Sequence, residues 1–145
     1  MVVTGAFGPC RWSFIQGALT EADVDAFVDY LRDLAATLEP GQVVLDIAYD
    51  LPMPTPVQRR RIVDTLKGAS NLERAAGHAF VINSSIGRGL LTAINWVLRP
   101  PFEERVFSHP EEAVRWLEER NRDLDGAAVL RRIGRMVPGF DALRW

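Results

Sequence analysis

Long apolar stretches are missing from this chain. The longest, Gly89 to Leu98, is broken by Thr92 and Asn95 and is too short to cross a bilayer. Cysteine is nearly absent: Cys10 stands alone, which excludes an internal disulfide and a Cys-rich metal centre and points to a reducing, cytoplasmic setting. No motif pairs Cys10 with a histidine. The two histidines, His78 and His109, lie far apart without metal-ligand spacing, so neither metal nor cofactor is expected. An excess of positive charge is missing too. With 17 basic and 19 acidic residues the net charge is −2, too little to hold nucleic acid non-specifically. The opening residues, Met-Val-Val-Thr-Gly, carry no basic region followed by a long apolar run, so no signal peptide is expected. There is no repeat, low-complexity tract, phosphate-loop motif, glycine fingerprint, Ser-His-Asp arrangement or pair of carboxylates, and the reading is that of a protein that is not an enzyme.

What is present is a chain of 145 residues, 48% hydrophobic and 25% charged, the ordinary mix of a globular protein with one core. Strand-like and helix-like segments alternate. Arg11 to Gln16 reads as a strand. Thr20, with Asp23 three residues on, reads as the cap of a helix carrying Val24, Phe27, Val28, Leu31, Leu34 and Leu38 and stopped by Pro40-Gly41. Val43 to Ala48 is a nearly continuous apolar run, as in strands covered on both faces. The stiff loop Asp50 to Pro54 follows. Thr55-Pro56-Val57-Gln58 is a helix start with a capping box, and Val57, Ile62, Val63 and Leu66 form its expected buried stripe. Gly77 to Ile82 is a strand, with His78 expected to be half-exposed at its start. A helix after Asn83-Ser84-Ser85 runs to Leu98, ended by Pro100-Pro101. Arg105 to Phe107 is a short strand, Ser108 to Glu111 a second capping box, and Gly126 to Met136 a last helix. Alternation of this kind predicts an α/β fold with a parallel or mixed sheet of four to five strands and helices packed on it. A further strand near Val2 to Phe7 would pair antiparallel with the first.

Several of these segments carry a family likeness. Val43 to Asp50, the helix after Thr55, the strand ending Ile82-Asn83-Ser84, and Ser108-His109-Pro110-Glu111-Glu112-Ala113-Val114-Arg115-Trp116-Leu117 resemble a STAS domain, in particular the SpoIIAA-like, anti-sigma-factor antagonist group. The likeness covers about residues 10 to 120. The division expected is a SpoIIAA-like domain over 1–120 and a helical extension over 121–145, packed on or beside it. The resemblance implies a bacterial signalling or localisation module that binds a partner protein (a regulator, kinase or scaffold), with no membrane insertion and with homo-oligomers left open. Phosphate-regulated members carry a Ser or Thr inside a D-S-x-G-type motif after the second central strand. Here that stretch is Asp50 to Pro56, the motif is absent, and Thr55 is the only hydroxyl. The resemblance also implies a structural hydrogen-bonding role for Asp46.

The candidate site residues follow. Thr55, as a possible phosphoacceptor, sits where free N–H groups and the helix dipole favour added negative charge, although a plain cap is the simpler reading. Arg59 and Arg60 follow it. Ser84, Ser85 and Arg88 open the next helix, at a strand end of the kind where open α/β sheets take ligands; capping by Asn83 or Ser84 is the simpler reading. Residues 1–50 carry two basic and eight acidic groups, and residues 51–105 eight basic and four acidic. Two readings follow: a basic rim around Arg59, Arg60, Arg61 and Arg88 that recognises an acidic partner surface or small anion, or a solvated arginine-rich helix face. The alternative is a small-ligand or lipid pocket near Ser84, Ser85 and Arg88, as in SEC14-like relatives of this fold group. The tail, with Val129, Leu130, Ile133 and Val137 between arginines, is expected to pack on its own domain rather than on a membrane.

Overall fold

A computed structural model describes residues 1–98 and 103–145, with the main chain alone at 70 and 96–98. The expected helix stop at Pro100-Pro101 and the inward faces of Trp96 to Leu98 lie outside the described residues. Five strands form one mixed sheet in sequence order: β1 (Val2–Phe7), β2 (Cys10–Gln16), β3 (Val43–Tyr49), β4 (Gly77–Ile82) and β5 (Glu104–Phe107). β1 and β2 are an antiparallel hairpin, the added N-terminal strand anticipated above, and β2 to β5 run parallel. The helices are α1 (Glu21–Thr37), α2 (Pro56–Lys67), α3 (Ser85–Leu98), α4 (Pro110–Arg120) and α5 (Gly126–Met136). The protein is α/β, as its alternating pattern predicts.

Strand order follows chain order from β2 to β5, so each right-handed crossover returns on the same side. The crossover helices thus share one face of the sheet, leaving the other to α4 and α5. The β3 run explains itself on this plan. Val43, Leu45 and Ile47 enter the core under α4 and α5 with Trp12, Phe14, Ala79 and Val81. Val44 turns to the opposite face, with Leu31, Leu34 and Ile62 of α1 and α2. A strand covered on both sides must be apolar throughout.

Local signals place the helix starts. The Thr20 hydroxyl accepts from the Asp23 amide at 3.1 Å, and the Asp23 carboxylate accepts from the Thr20 amide at 2.9 Å and from the Thr20 hydroxyl at 2.7 Å; the two bonds to the carboxylate hold the Asp23 carboxyl below its usual value. The second expected capping box does not form. His109 occupies the cap position of α4 without a side-chain cap bond, ahead of Pro110, and the Ser108 hydroxyl instead faces Arg88 at 3.4 Å. Proline at the first helical position needs no amide partner, so the helix starts without the box.

Residues on both sides of position 120 share one core. Val129, Ile133, Val137 and Phe140 are buried in the cluster that holds Trp12 and Leu117. Phe140 meets Phe14 edge-on at 5.8 Å, and the Tyr49 hydroxyl donates to the Arg144 carbonyl at 3.1 Å.

Candidate functional site

The sequence-derived site residues lie where β3 and β4 end side by side, with Ala48 opposite Ile82. Asp50 leaves β3 in the left-handed region, φ 48°, which Asp tolerates better than bulkier residues. Asn83 clamps it with its side chain: Asn83 Oδ1 accepts from the Asp50 amide at 2.9 Å, and Asn83 Nδ2 donates to Asp50 Oδ1 at 2.9 Å. The proline-rich loop is thereby fastened to the end of β4.

Thr55 then opens α2. Its hydroxyl accepts from the Gln58 amide at 3.2 Å, and Gln58 Oε1 accepts from the Thr55 amide at 3.1 Å. Gln58 is buried and also donates to the Leu19 carbonyl at 3.2 Å, tying α2 to the start of α1. Thr55 itself is exposed, as is Arg60; Arg59 is half-buried, with Nη1 3.8 Å from the Met53 sulfur. Arg61 leaves the expected rim, turning to Glu21 and Asp25 on α1. At the start of α3 the Ser84 hydroxyl accepts from the Gly87 amide at 3.1 Å, which is a cap. Ser85 and Arg88 are exposed. Arg88 lines a groove of about 420 Å³ with Leu91, Thr92, Asn95, Glu104 and Val106. Burial pushes the Glu104 carboxyl up, with His78 and a hydrogen bond from Asn95 opposing the shift.

The structure adds residues that the sequence reading passed over. Val57 was expected in the buried stripe of α2 but is 67% exposed, and Met53 and Ile86 are 50% and 52% exposed. Val57 lies in the first turn, next to the cap, and α2 buries Gln58 and Ile62 instead. Periodicity identifies an apolar face but not how far the sheet extends beneath it.

A second constellation is internal. Asp46 Oδ1 accepts from the Ser13 hydroxyl at 2.5 Å, and Asp46 Oδ2 lies 2.6 Å from His78 Nε2. All three residues are buried, correcting the expectation of a half-exposed His78. Its ring stacks on Phe80 with centroids 4.1 Å apart. β2, β3 and β4 bring the three together from positions 13, 46 and 78, so no local motif could reveal them. Asp46 has the hydrogen-bonding role expected of it. In an acyl-transfer triad the imidazole stands between hydroxyl and carboxylate to take the proton. Here the carboxylate stands in the middle, and the Ser13 hydroxyl has no exposure. The arrangement fastens three strands together; it does not prepare a nucleophile. Cys10 is equally unsuited, since burial and the nearby Asp46 charge push its thiol up to about 12. Among the described residues no group of His, Cys, Asp and Glu could hold a metal ion, and no helix is long and apolar enough to cross a membrane.

No protein-family model matches the chain, and a search of curated proteins finds no match. Among solved structures it is similar to an uncharacterized protein of the DUF3478 family from Shewanella loihica PV-4, described as having a SpoIIAA-like fold. The TM-score is 0.56 at 16% identity, over 80% of this chain and 93% of that one. Strand order, helix placement and this likeness agree: the protein has a SpoIIAA-like fold.

Proposed function

We propose that the protein is a non-catalytic regulatory or localisation module that docks a partner protein on the edge formed by the Asp50–Thr55 loop and the starts of α2 and α3. The observation that carries this reading is the exposure of Met53, Val57 and Ile86 at that edge. Single exposed apolar residues are ordinary. Among the described residues seven large hydrophobics are exposed, and three of them belong to this one edge. Apolar groups gathered beside charge mark interaction surfaces. Arg59, Arg60 and Arg88 supply positive charge, so the partner surface is acidic around an apolar centre. The Asp50–Asn83 clamp and the Thr55 cap hold the edge in place before binding, which lowers the ordering cost of association. Thr55 is the hydroxyl through which a kinase would reverse the local charge, with Arg59 one helical turn on.

The test is capture from the native bacterial cytoplasm by the tagged protein, followed by binding measured with the purified candidate. Val57→Asp and the pair Arg59→Glu with Arg60→Glu are expected to weaken binding at least tenfold, while Arg131→Glu on α5 leaves it unchanged. Binding indifferent to both edge variants overturns the proposal.

A second reading rests on the groove beside Arg88, which could take a small anion or the headgroup of a lipid. Native mass spectrometry separates the two. A retained small molecule that is lost in Arg88→Ala favours the groove, and a clean mass with nothing added to 16.2 kDa per chain favours the docking edge.

A further inference from the structure

We infer that the groove between α3 and β5 binds an elongated zwitterion, which places an oxyanion at Arg88 and an ammonium at Glu104. The inference rests on the second reading above, that this groove takes a small molecule, and is independent of the docking edge. Six residues line the groove: Arg88, Leu91, Thr92 and Asn95 of α3, and Glu104 and Val106 of β5. Positions i, i+3, i+4 and i+7 share one face of a helix, and i and i+2 share one face of a strand. Two bonds fix how the elements lie. Arg88 Nη2 donates to Ser108 Oγ at 3.4 Å, just past the end of β5, and Asn95 Nδ2 donates to Glu104 Oε1 at its start. α3 therefore runs antiparallel to β5, with Arg88 at one end of the groove and Glu104 at the other.

The helix from Arg88 to Asn95 spans about 10 Å and the strand from Glu104 to Ser108 about 13 Å. At that separation the two charges do not neutralise each other, and among the described residues neither Arg88 nor Glu104 forms an ion pair. Glu104 is half-buried. Burial and the negative charge of Asp46 behind it push its carboxyl up, while His78, opposite it on β4, and the bond from Asn95 oppose the shift. His78 is itself held by Asp46 at 2.6 Å. A carboxylate partly removed from water, with a second carboxylate behind it, is stabilised by an ammonium entering from the groove. At the other end the exposed Arg88 guanidinium presents N–H groups that suit a carboxylate or phosphate oxygen. Between the ends lie Leu91, half-buried, and Val106, 41% exposed, an apolar floor for a methylene chain. The ends are about 10–13 Å apart and a hydrogen bond at each takes about 3 Å, which leaves about 4–7 Å between the ligand's own charges. 5-Aminopentanoate has that span; glycine does not.

The test uses the whole chain, isotope-labelled and titrated at neutral pH with 5-aminopentanoate, pentanoate, pentylamine and glycine. Binding is read from the amide signals of Leu91 and Val106. 5-Aminopentanoate is expected to bind at least threefold more tightly than pentanoate or pentylamine, since each end adds an ion pair at a partly exposed site. Glycine, too short to reach both ends, is expected to bind more weakly still. Arg88→Ala should reduce the affinity for 5-aminopentanoate to that for pentylamine. Glu104→Gln, which keeps an acceptor for Asn95, should reduce it to that for pentanoate. Pentanoate or pentylamine binding as tightly as 5-aminopentanoate overturns the inference, and in the case of pentanoate leaves the groove as a plain anion site. Binding by none of the four compounds, or affinities unchanged in both variants, overturns the inference and the groove reading together. The four-compound series on the native chain decides even if a variant does not fold.

Discussion

Leu45 and Asp46 are neighbours on β3 and point to opposite faces of the sheet. Leu45 enters a cluster of apolar side chains closed by α4, α5 and the C-terminal segment. Asp46 enters the face covered by the crossover helices, where it meets Ser13 and His78. The first face rests on burial of apolar surface, which is non-directional and tolerates modest changes of shape. The second contains a directional network, which specifies how three strands align but becomes costly when it loses a member. The proposed docking edge lies at the strand ends where the crossover helices of this second face begin. Both faces hold the fold together, the first by apolar burial alone and the second by an apolar cluster joined to this network.

Truncating the two neighbours should separate these rules most clearly. Leu45→Ala is expected to lose about 2–5 kcal/mol through lost burial and the cavity left behind, measured by urea unfolding. Asp46→Ala is expected to lose about 3 kcal/mol, because each buried polar partner it abandons costs about 1–3 kcal/mol. Asp46→Asn, which keeps acceptor capacity at one oxygen, should recover part of that loss. No comparable polar replacement rescues Leu45. Equal rescue at both positions would show that the faces do not differ in kind.

A smaller effect is expected at the edge. Thr55→Ala removes the α2 cap and should cost about 1 kcal/mol without disturbing the core, as read by the unfolding midpoint and an unchanged near-ultraviolet spectrum. A change in the core signals would mean that the edge is not an independent frame.

The smallest effect concerns Glu104. Its folded pKa is raised, chiefly by burial. As pH rises, the unfolded chain ionises first, so the native state loses stability between the ordinary glutamate value and the raised one, and the loss persists at neutral pH. Glu104→Gln keeps an acceptor for Asn95 without the charge. It should raise the neutral-pH melting temperature slightly and flatten its decline between mildly acidic and neutral pH. A variant less stable than the native chain at neutral pH would contradict this.

Much of the fold was readable residue by residue. Thr20 with Asp23 and Thr55 with Gln58 announce helix starts because a cap is a local contact, three residues long. The two-sided burial of β3 is legible because covering both faces forces an unbroken apolar run. Gly126 to Met136 reads as a helix and is one, since its periodicity needs no partner to be visible. Val57, His78 and the Ser108 to Glu111 stretch were misread for a common reason. Whether Val57 is covered depends on where the sheet ends. His78 is buried by neighbouring strands and by Phe80, and Ser108 faces Arg88 from another segment.

The sequence alone determined the elements, their order and the α/β class, because hydrophobic period, caps and turn residues act over a few neighbouring positions. Tertiary structure alone decided which side chains meet. Ser13, Asp46 and His78 come together, and Met53, Val57 and Ile86 stand out at one edge, because strand register and sheet boundaries join residues tens of positions apart and no local pattern encodes those distances.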